Sequence, residues 1–161
     1  MTKQKSPAEN DPVVQRVSKI PCYKIAMVKE GNISTEKKQI RAPQDVFTAV
    51  QGFLADADRE YFLILTLSTK NNINGVNVVS IGSLNSSLVH PREVFKMAIL
   101  SNAAAVILVH NHPSGDPNFS NEDLEITRRL VEAGRLIGIE ILDHVVVGDG
   151  CWVSFKEKGL L

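Results

Sequence analysis

Two histidines one residue apart, His110 and His112, are followed at once by Pro113, Ser114 and Gly115, and then by the acid Asp123. Side chains at i and i+2 of an extended chain lie on the same side, so two imidazoles at the mouth of a strand can converge on one point. Pro113 forbids further sheet pairing and Gly115 lets the backbone turn, so the chain must leave the strand end immediately. Asp123 falls in the first turn of the next helical pattern, where its carboxylate can swing back over the strand end. Two neutral imidazoles and one carboxylate around an open fourth position are the ligand set of a catalytic zinc site; a structural site would close that position with a protein ligand, usually Cys. Ser120 has a simpler reading beside this one: S-x-x-D with Asp123 is a near capping box. The tripeptide His110-Asn111-His112 spells the initials of a nuclease class, but that class spreads its letters over a long ββα unit, and the coincidence carries no weight.

The elements around these residues are legible in outline. Ala104 to Val109 is a continuous apolar run, the pattern of a strand covered on both faces. Ser120 to Ile137 is a long helical pattern with Ile126, Leu130, Ala133 and Ile137 on its buried face, and Gly138 just past its end. Ile139–Val147 reads as a strand, Gly148-Asp149-Gly150 as a tight turn and Cys151–Phe155 as the returning strand. Upstream, Tyr61–Thr66 and Val76–Ile81 form a hairpin-like pair around the turn residues Asn71–Gly75, with a shorter strand expected over Ser83–Val89. Pro91 opens a helix with Val94, Phe95, Ala98 and Ile99 on one face. Pro43 opens another, with Val46, Phe47, Val50, Phe53 and Leu54 as its apolar stripe. Tyr23–Val28 is expected to be a strand, with Gly31-Asn32 as a turn and a second short strand near Lys37–Arg41. This mixture of hairpin and crossover connections predicts an α/β or α+β fold, a three-layer sandwich with a mixed β-sheet flanked by helices.

Composition narrows the function classes. The chain has 161 residues, 43% of them hydrophobic and 22% charged, which fits one globular domain with a real core. Eighteen Lys and Arg balance eighteen Asp and Glu, without the basic excess of a protein built to grip a phosphate backbone. The charge is uneven: residues 1–41 hold nine basic and four acidic residues, whereas residues 42–161 hold nine and fourteen. That pattern reads as a solvated basic leader on a mildly acidic domain. No apolar run approaches the roughly 20 residues needed to span a bilayer, and no secretory signal is visible, so a cytoplasmic chain with no membrane partner is expected. Cys22 and Cys151 read as free thiols of a reducing compartment. Residues 1–12 are expected to be a disordered leader, 13–57 a strand-and-helix extension packed on the core, and 58–161 the main domain.

The string HNHPSGDPNFSNED fits the pattern H-x-H-x7-S-x2-D of the JAB/MPN (JAMM) metalloproteases, with His110, His112, Ser120 and Asp123 each in register. The longer stretch from Asp58 to Phe155 resembles the bacterial RadC group within that family. The resemblance implies a JAB/MPN (cytidine-deaminase-like) sandwich over 58–161 and one zinc ion per chain, held by His110, His112 and Asp123, with a water in the remaining position. It implies a metallopeptidase or isopeptidase in which that water attacks an amide bond, with a glutamate as general base and Ser120 donating to the oxyanion. The family places its glutamate just ahead of the first core strand, which here points to Glu60; Glu93, in the first turn of a helix, is the rival. The substrate implied is a protein or peptide. The alternative is a DNA repair or recombination accessory factor, or a metal-dependent nuclease, of RadC type. Many of its relatives carry a helix-hairpin-helix module ahead of this domain, for which this chain leaves no room, so nucleic acid is the less favoured partner. A scaffold with a vestigial metal site ranks last, because all four motif positions are filled. His144 reads as a structural polar residue on a strand rather than a partner of the ligands. Asn111 and Ser114 are expected to shape the loop, Arg128 and Arg129 to be solvated, and Trp152 to pack at the core or its rim.

Overall fold

A computed structural model describes residues 18–82 and 89–161. Eight elements follow one another: α1 (Pro43–Leu54), β1 (Tyr61–Leu67), β2 (Ile73–Ile81), α2 (Pro91–Leu100), β3 (Ala105–Asn111), α3 (Asn121–Ile137), β4 (Glu140–Val147) and β5 (Trp152–Ser154). The strands form one mixed sheet in the order β2-β1-β3-β4-β5. Only β3 and β4 run parallel, and α3 is the crossover between them; the other neighbours are antiparallel. Helices cover both faces. Val46, Ala49, Val50 and Leu54 of α1 pack on Leu63, Leu65, Ile107, Val109 and Val145. On the opposite face Val94, Phe95 and Ala98 of α2 and Ile126 and Leu130 of α3 pack on Phe62, Ile64, Val106 and Leu108. The fold is therefore the α+β three-layer sandwich that the sequence predicts, with β1 and β3 buried on both sides at its centre.

Local chemistry explains the helix starts. Pro43 and Pro91 sit at the first helical positions, where a missing N–H costs nothing. Before α2 the His90 side chain accepts from the Arg92 N–H at 3.2 Å. At α1 the cap comes from inside the helix: Asp45 accepts from the backbone N–H of Arg41 at 2.9 Å and of Ala42 at 3.1 Å, and pairs with Lys37 at 2.8 Å. The Lys37 ammonium and these amides hold the Asp45 carboxyl below its usual range, although burial opposes them. A carboxyl depressed in the folded state contributes stability above its unfolded pKa and loses it as pH falls through the folded value. Asp45→Asn is thus expected to lower the melting temperature at pH 6–7, and the gap from the parent should close as pH drops below about 4, the unfolded aspartate value. Melting curves from pH 7 to pH 2.5 check this; a gap that widens in acid would contradict it.

Several expectations need correction. No strand forms over Tyr23–Val28: Ile20, Tyr23, Ile25 and Val28 are 75–90% exposed in irregular backbone. Strand propensity is realised only against a partner edge, and none of the described residues supplies one here. Lys37–Arg41 contracts to one antiparallel bridge, Gln39 with Asn72, because the chain turns into α1 at Ala42. The turn after β1 is shorter than expected, so Gly75 lies inside β2. Phe53, Ile99 and Ile137, assigned to buried helix faces, are 41%, 53% and 44% exposed, since each apolar stripe is wider than the sheet surface it meets. Phe53 instead meets the Tyr61 ring edge-on. The leader over 1–12 and the strand expected over Ser83–Val89 lie outside the described residues, apart from Val89, which is buried in irregular backbone. Among the described residues no helix is long and apolar enough to cross a membrane.

Candidate metal centre

Strand β3 runs two residues beyond its apolar stretch, so His110 and Asn111 are still inside the sheet. The pairing continues into His112, whose N–H donates to Val147 O at 2.9 Å, as the β3–β4 register requires. His110 and His112 therefore project to one side, the side covered by α3. Gly115 turns the chain back with φ 82°, and its N–H donates to His112 O at 2.9 Å. Gly148, in the β4–β5 turn, lies directly beneath this loop; a Cβ there would fall 2.2 Å from Gly115 O. Only glycine allows that approach, which seats the loop against the turn.

Helix α3 then delivers Asp123. Ser120 is its N-cap: Ser120 Oγ accepts from the Asp123 N–H at 3.1 Å, and the Ser120 N–H donates to Asp123 Oδ2 at 2.7 Å, completing a capping box. The Ser120 hydroxyl also donates to Oδ2, at 2.8 Å. With Oδ2 so engaged, Oδ1 is turned to His110 Nε2 at 3.2 Å. His112 Nε2 lies 3.0 Å from His110 Nε2 and 3.7 Å from Asp123 Oδ2. Zinc ligands at about 2.0–2.1 Å in a tetrahedron stand roughly 3.3–3.4 Å apart; with one atom from each residue, the three groups here lie within 4.8 Å of one another. His110, His112 and Asp123 form a cluster that could hold a metal ion. His110 and Asp123 are buried, while His112 is half-buried and leaves the cluster a route to solvent.

The electrostatics agree with a cation site. His112 Nδ1 lies 2.8 Å from the carbonyl of Asp116, which can only accept, so Nδ1 carries the hydrogen and the neutral ring turns a lone pair inward at Nε2. The nearby Asp123 carboxylate raises the His112 pKa against the effect of burial, with help from the Asp116 carbonyl and from the charge of Glu60. Burial alone would push the Asp123 carboxyl up, but the neighbouring His110 and His112 rings outweigh it and hold the group far below the usual carboxylate range.

Glu60 lies just ahead of β1, two residues before Phe62, which pairs with His110 across the antiparallel β1–β3 ladder, and its charge is felt at His112. Asn111 fastens this segment: its Oδ1 accepts from the Tyr61 N–H at 2.7 Å and its Nδ2 donates to Arg59 O at 3.1 Å, gripping the backbone on either side of Glu60. Glu93, the rival, is engaged by Lys96 and Arg92 on the first turn of α2, and the Lys96 ammonium lowers its pKa. Trp152 packs against the α1 side of the core and donates to Gln44 Oε1 at 3.2 Å. Arg128 and Arg129 are exposed on α3.

His144 departs from its expected role. It is fully buried, with its Nε2 2.8 Å from His110 Nδ1 and its Nδ1 2.6 Å from Thr127 Oγ1. Burial, with the neighbouring His110, drives its pKa well below the usual imidazole value, so the ring is neutral. Thr127 is a residue that sequence reasoning missed; its place four residues after Asp123, on the same helix face, was the available signal. Asp143 was missed as well: it accepts from the His144 N–H at 2.7 Å, the Ser154 hydroxyl at 2.6 Å and the Lys156 N–H at 3.0 Å, tying the end of the sheet to the chain that follows it.

Comparison with known proteins agrees with this geometry. The RadC-like JAB domain family matches residues 40–160. A UPF0758 protein of Desulfitobacterium hafniense is 54% identical over 122 residues, covering 76% of this chain and 54% of the relative. A UPF0758 protein of Desulforamulus reducens is 57% identical over 122 residues with the same coverage of both chains, and one of Methanosarcina mazei is 49% identical over 139 residues, covering 86% of this chain and 61% of its own. The chain thus spans little more than half the length of these curated relatives. With the family's domain matched over three-quarters of its length, the chain belongs to the RadC-like JAB domain family.

Proposed function

We propose that the chain is a zinc-dependent hydrolase that cleaves an amide bond, peptide or isopeptide, in a protein or peptide substrate. The observation that carries this reading is the convergence of His110 Nε2, His112 Nε2 and the Asp123 carboxylate, with Glu60 just ahead of the strand that pairs with β3. A divalent ion held there would supply a Lewis acid able to lower the pKa of water from about 15.7 to about 7. Zinc suits two imidazoles and a carboxylate, although supply also decides among divalent ions. Glu60 is the group assigned to take a proton from the attacking water and return it to the departing nitrogen. The Ser120 hydroxyl, turned from Asp123 Oδ2, is assigned to donate to the carbonyl oxygen as it gains charge, while its oxygen still caps α3. Asn111 holds the Glu60 backbone against β3 throughout.

The test is hydrolysis of fluorogenic peptide and isopeptide-linked substrates by the zinc-loaded chain, before and after chelation. Cleavage that disappears on chelation and returns with added zinc is the expected result. Cleavage that survives chelation would overturn the reading, as would no cleavage coupled with DNA retention that falls steeply with salt.

A further inference from the structure

We infer that Thr127 and His144 are positioning residues that fix the tautomer of His110, so that its Nε2 lone pair is permanently presented to the metal cluster. The inference rests on the reading of His110, His112 and Asp123 as a cation site, and it is independent of which bond is cut. Thr127 Oγ1 stands 2.6 Å from the backbone oxygen of Asp123 and 2.6 Å from His144 Nδ1. Two oxygens that close need a hydrogen between them, and a carbonyl has none to offer. The single hydroxyl hydrogen of Thr127 is therefore committed to Asp123 O, and Oγ1 must accept from His144 Nδ1–H.

His144 is completely buried against Phe62 and Phe155, in surroundings that disfavour an imidazolium. A neutral ring with its hydrogen on Nδ1 has a bare Nε2, and that atom lies 2.8 Å from His110 Nδ1. His110 must then donate from Nδ1, which leaves its own Nε2 bare and aimed at His112 Nε2, 3.0 Å away, and Asp123 Oδ1, 3.2 Å away. His112 reaches the same state by another route, through the Asp116 carbonyl. Both inward nitrogens are thus acceptors beside a carboxylate, and the centre needs one shared proton or one metal ion.

The design has a second consequence. Thr127 is bonded to the backbone of Asp123 itself, so one hydroxyl joins the carboxylate ligand to the tautomer of a histidine ligand. Reversing the chain would require a hydrogen bond at 2.6 Å between Thr127 and Asp123 to be given up, and the imidazole of His110 would then turn an N–H towards the metal position. Partners of this kind typically carry 10–100-fold in metal affinity.

Long-range 1H–15N correlation spectra of the metal-free wild-type chain read the tautomers directly. Hydrogens on Nδ1 of both His110 and His144 are expected; His110 protonated at Nε2 alone would overturn the inference, whether or not the chain binds zinc or cleaves anything. Thr127→Val removes the hydroxyl at nearly constant volume. It is expected to weaken zinc binding 10–100-fold in a chelator competition and to move the His110 hydrogen towards Nε2, with Thr127→Ser restoring both. A folded Thr127→Val chain with wild-type affinity and unchanged tautomers would also overturn it. Should Thr127→Val fail to fold, the wild-type spectra decide. A wild-type chain that binds no zinc would defeat the metal reading alone, since the tautomers are measured without metal.

Discussion

Replacing His112 by alanine is expected to leave the purified chain without metal, where the parent is expected to carry about one zinc per chain. Two of the three convergent ligands would remain, His110 and Asp123, and both are buried behind the vacated position. A bidentate remnant open to solvent cannot hold a divalent ion through chelator washing. Elemental analysis of the two proteins side by side checks this. Thermal melting supplies a second readout: a ligand at a thousandfold excess over its Kd stabilises the folded state by about 4 kcal/mol. At roughly 2–4 °C per kcal/mol for a chain of this size, the parent should gain on the order of 10 °C with zinc, and His112→Ala should gain almost nothing. Metal retained by the variant in full would remove His112 from the site.

Glu60→Gln is expected to do the reverse, keeping the metal and losing the chemistry. Glutamine preserves the shape of the side chain but cannot accept a proton from water. General-base catalysis contributes about 10²- to 10⁴-fold, equivalent to roughly 3–5 kcal/mol of barrier, so cleavage should fall by that factor at unchanged zinc content. Glu93→Gln is the matched control. Its partners are Lys96 and Arg92 on the α2 surface, and it should alter cleavage little. A Glu93→Gln chain that loses cleavage while Glu60→Gln retains it would reverse the assignment of the base.

These two experiments probe parts of the site that were legible to different degrees. The metal cluster is nearly local: an i, i+2 pair on a strand, a Pro-Ser-Gly exit and an acid in the next helical turn put the three ligands within fourteen residues of one another. Short-range geometry settles where such side chains go. Ser120 as a helix cap is local in the same sense, and the capping box forms as its residue types predict. Glu60 lies 50 residues before His110, and its surroundings depend on how β1 lies on β3, which no single segment encodes. A slip of one residue would carry it to the opposite face. The resemblance to a family supplied Glu60; residue patterns alone left it level with Glu93.

The errors have the same origin. The alternating residues of Tyr23–Val28 are competent for a strand, but a strand is a relation between two segments and the described chain gives this one no partner. His144 was misjudged because a lone histidine in LDHVVV looks like any polar residue on a strand. Its function depends on β4 lying parallel to β3, with Leu108 beside His144, and on α3 crossing above to bring Thr127 within 2.6 Å.

By itself, then, the order of residues determined the helices, the central strands, the layered α+β architecture and the three converging side chains, since periodicity, capping and i, i+2 spacing act over a few residues. Tertiary structure alone decided that Asn111 grips the backbone around Glu60 and that Thr127 and His144 stand behind His110. Each of these depends on strand register and helix crossover, where contacts between distant segments are selected by packing the whole core at once.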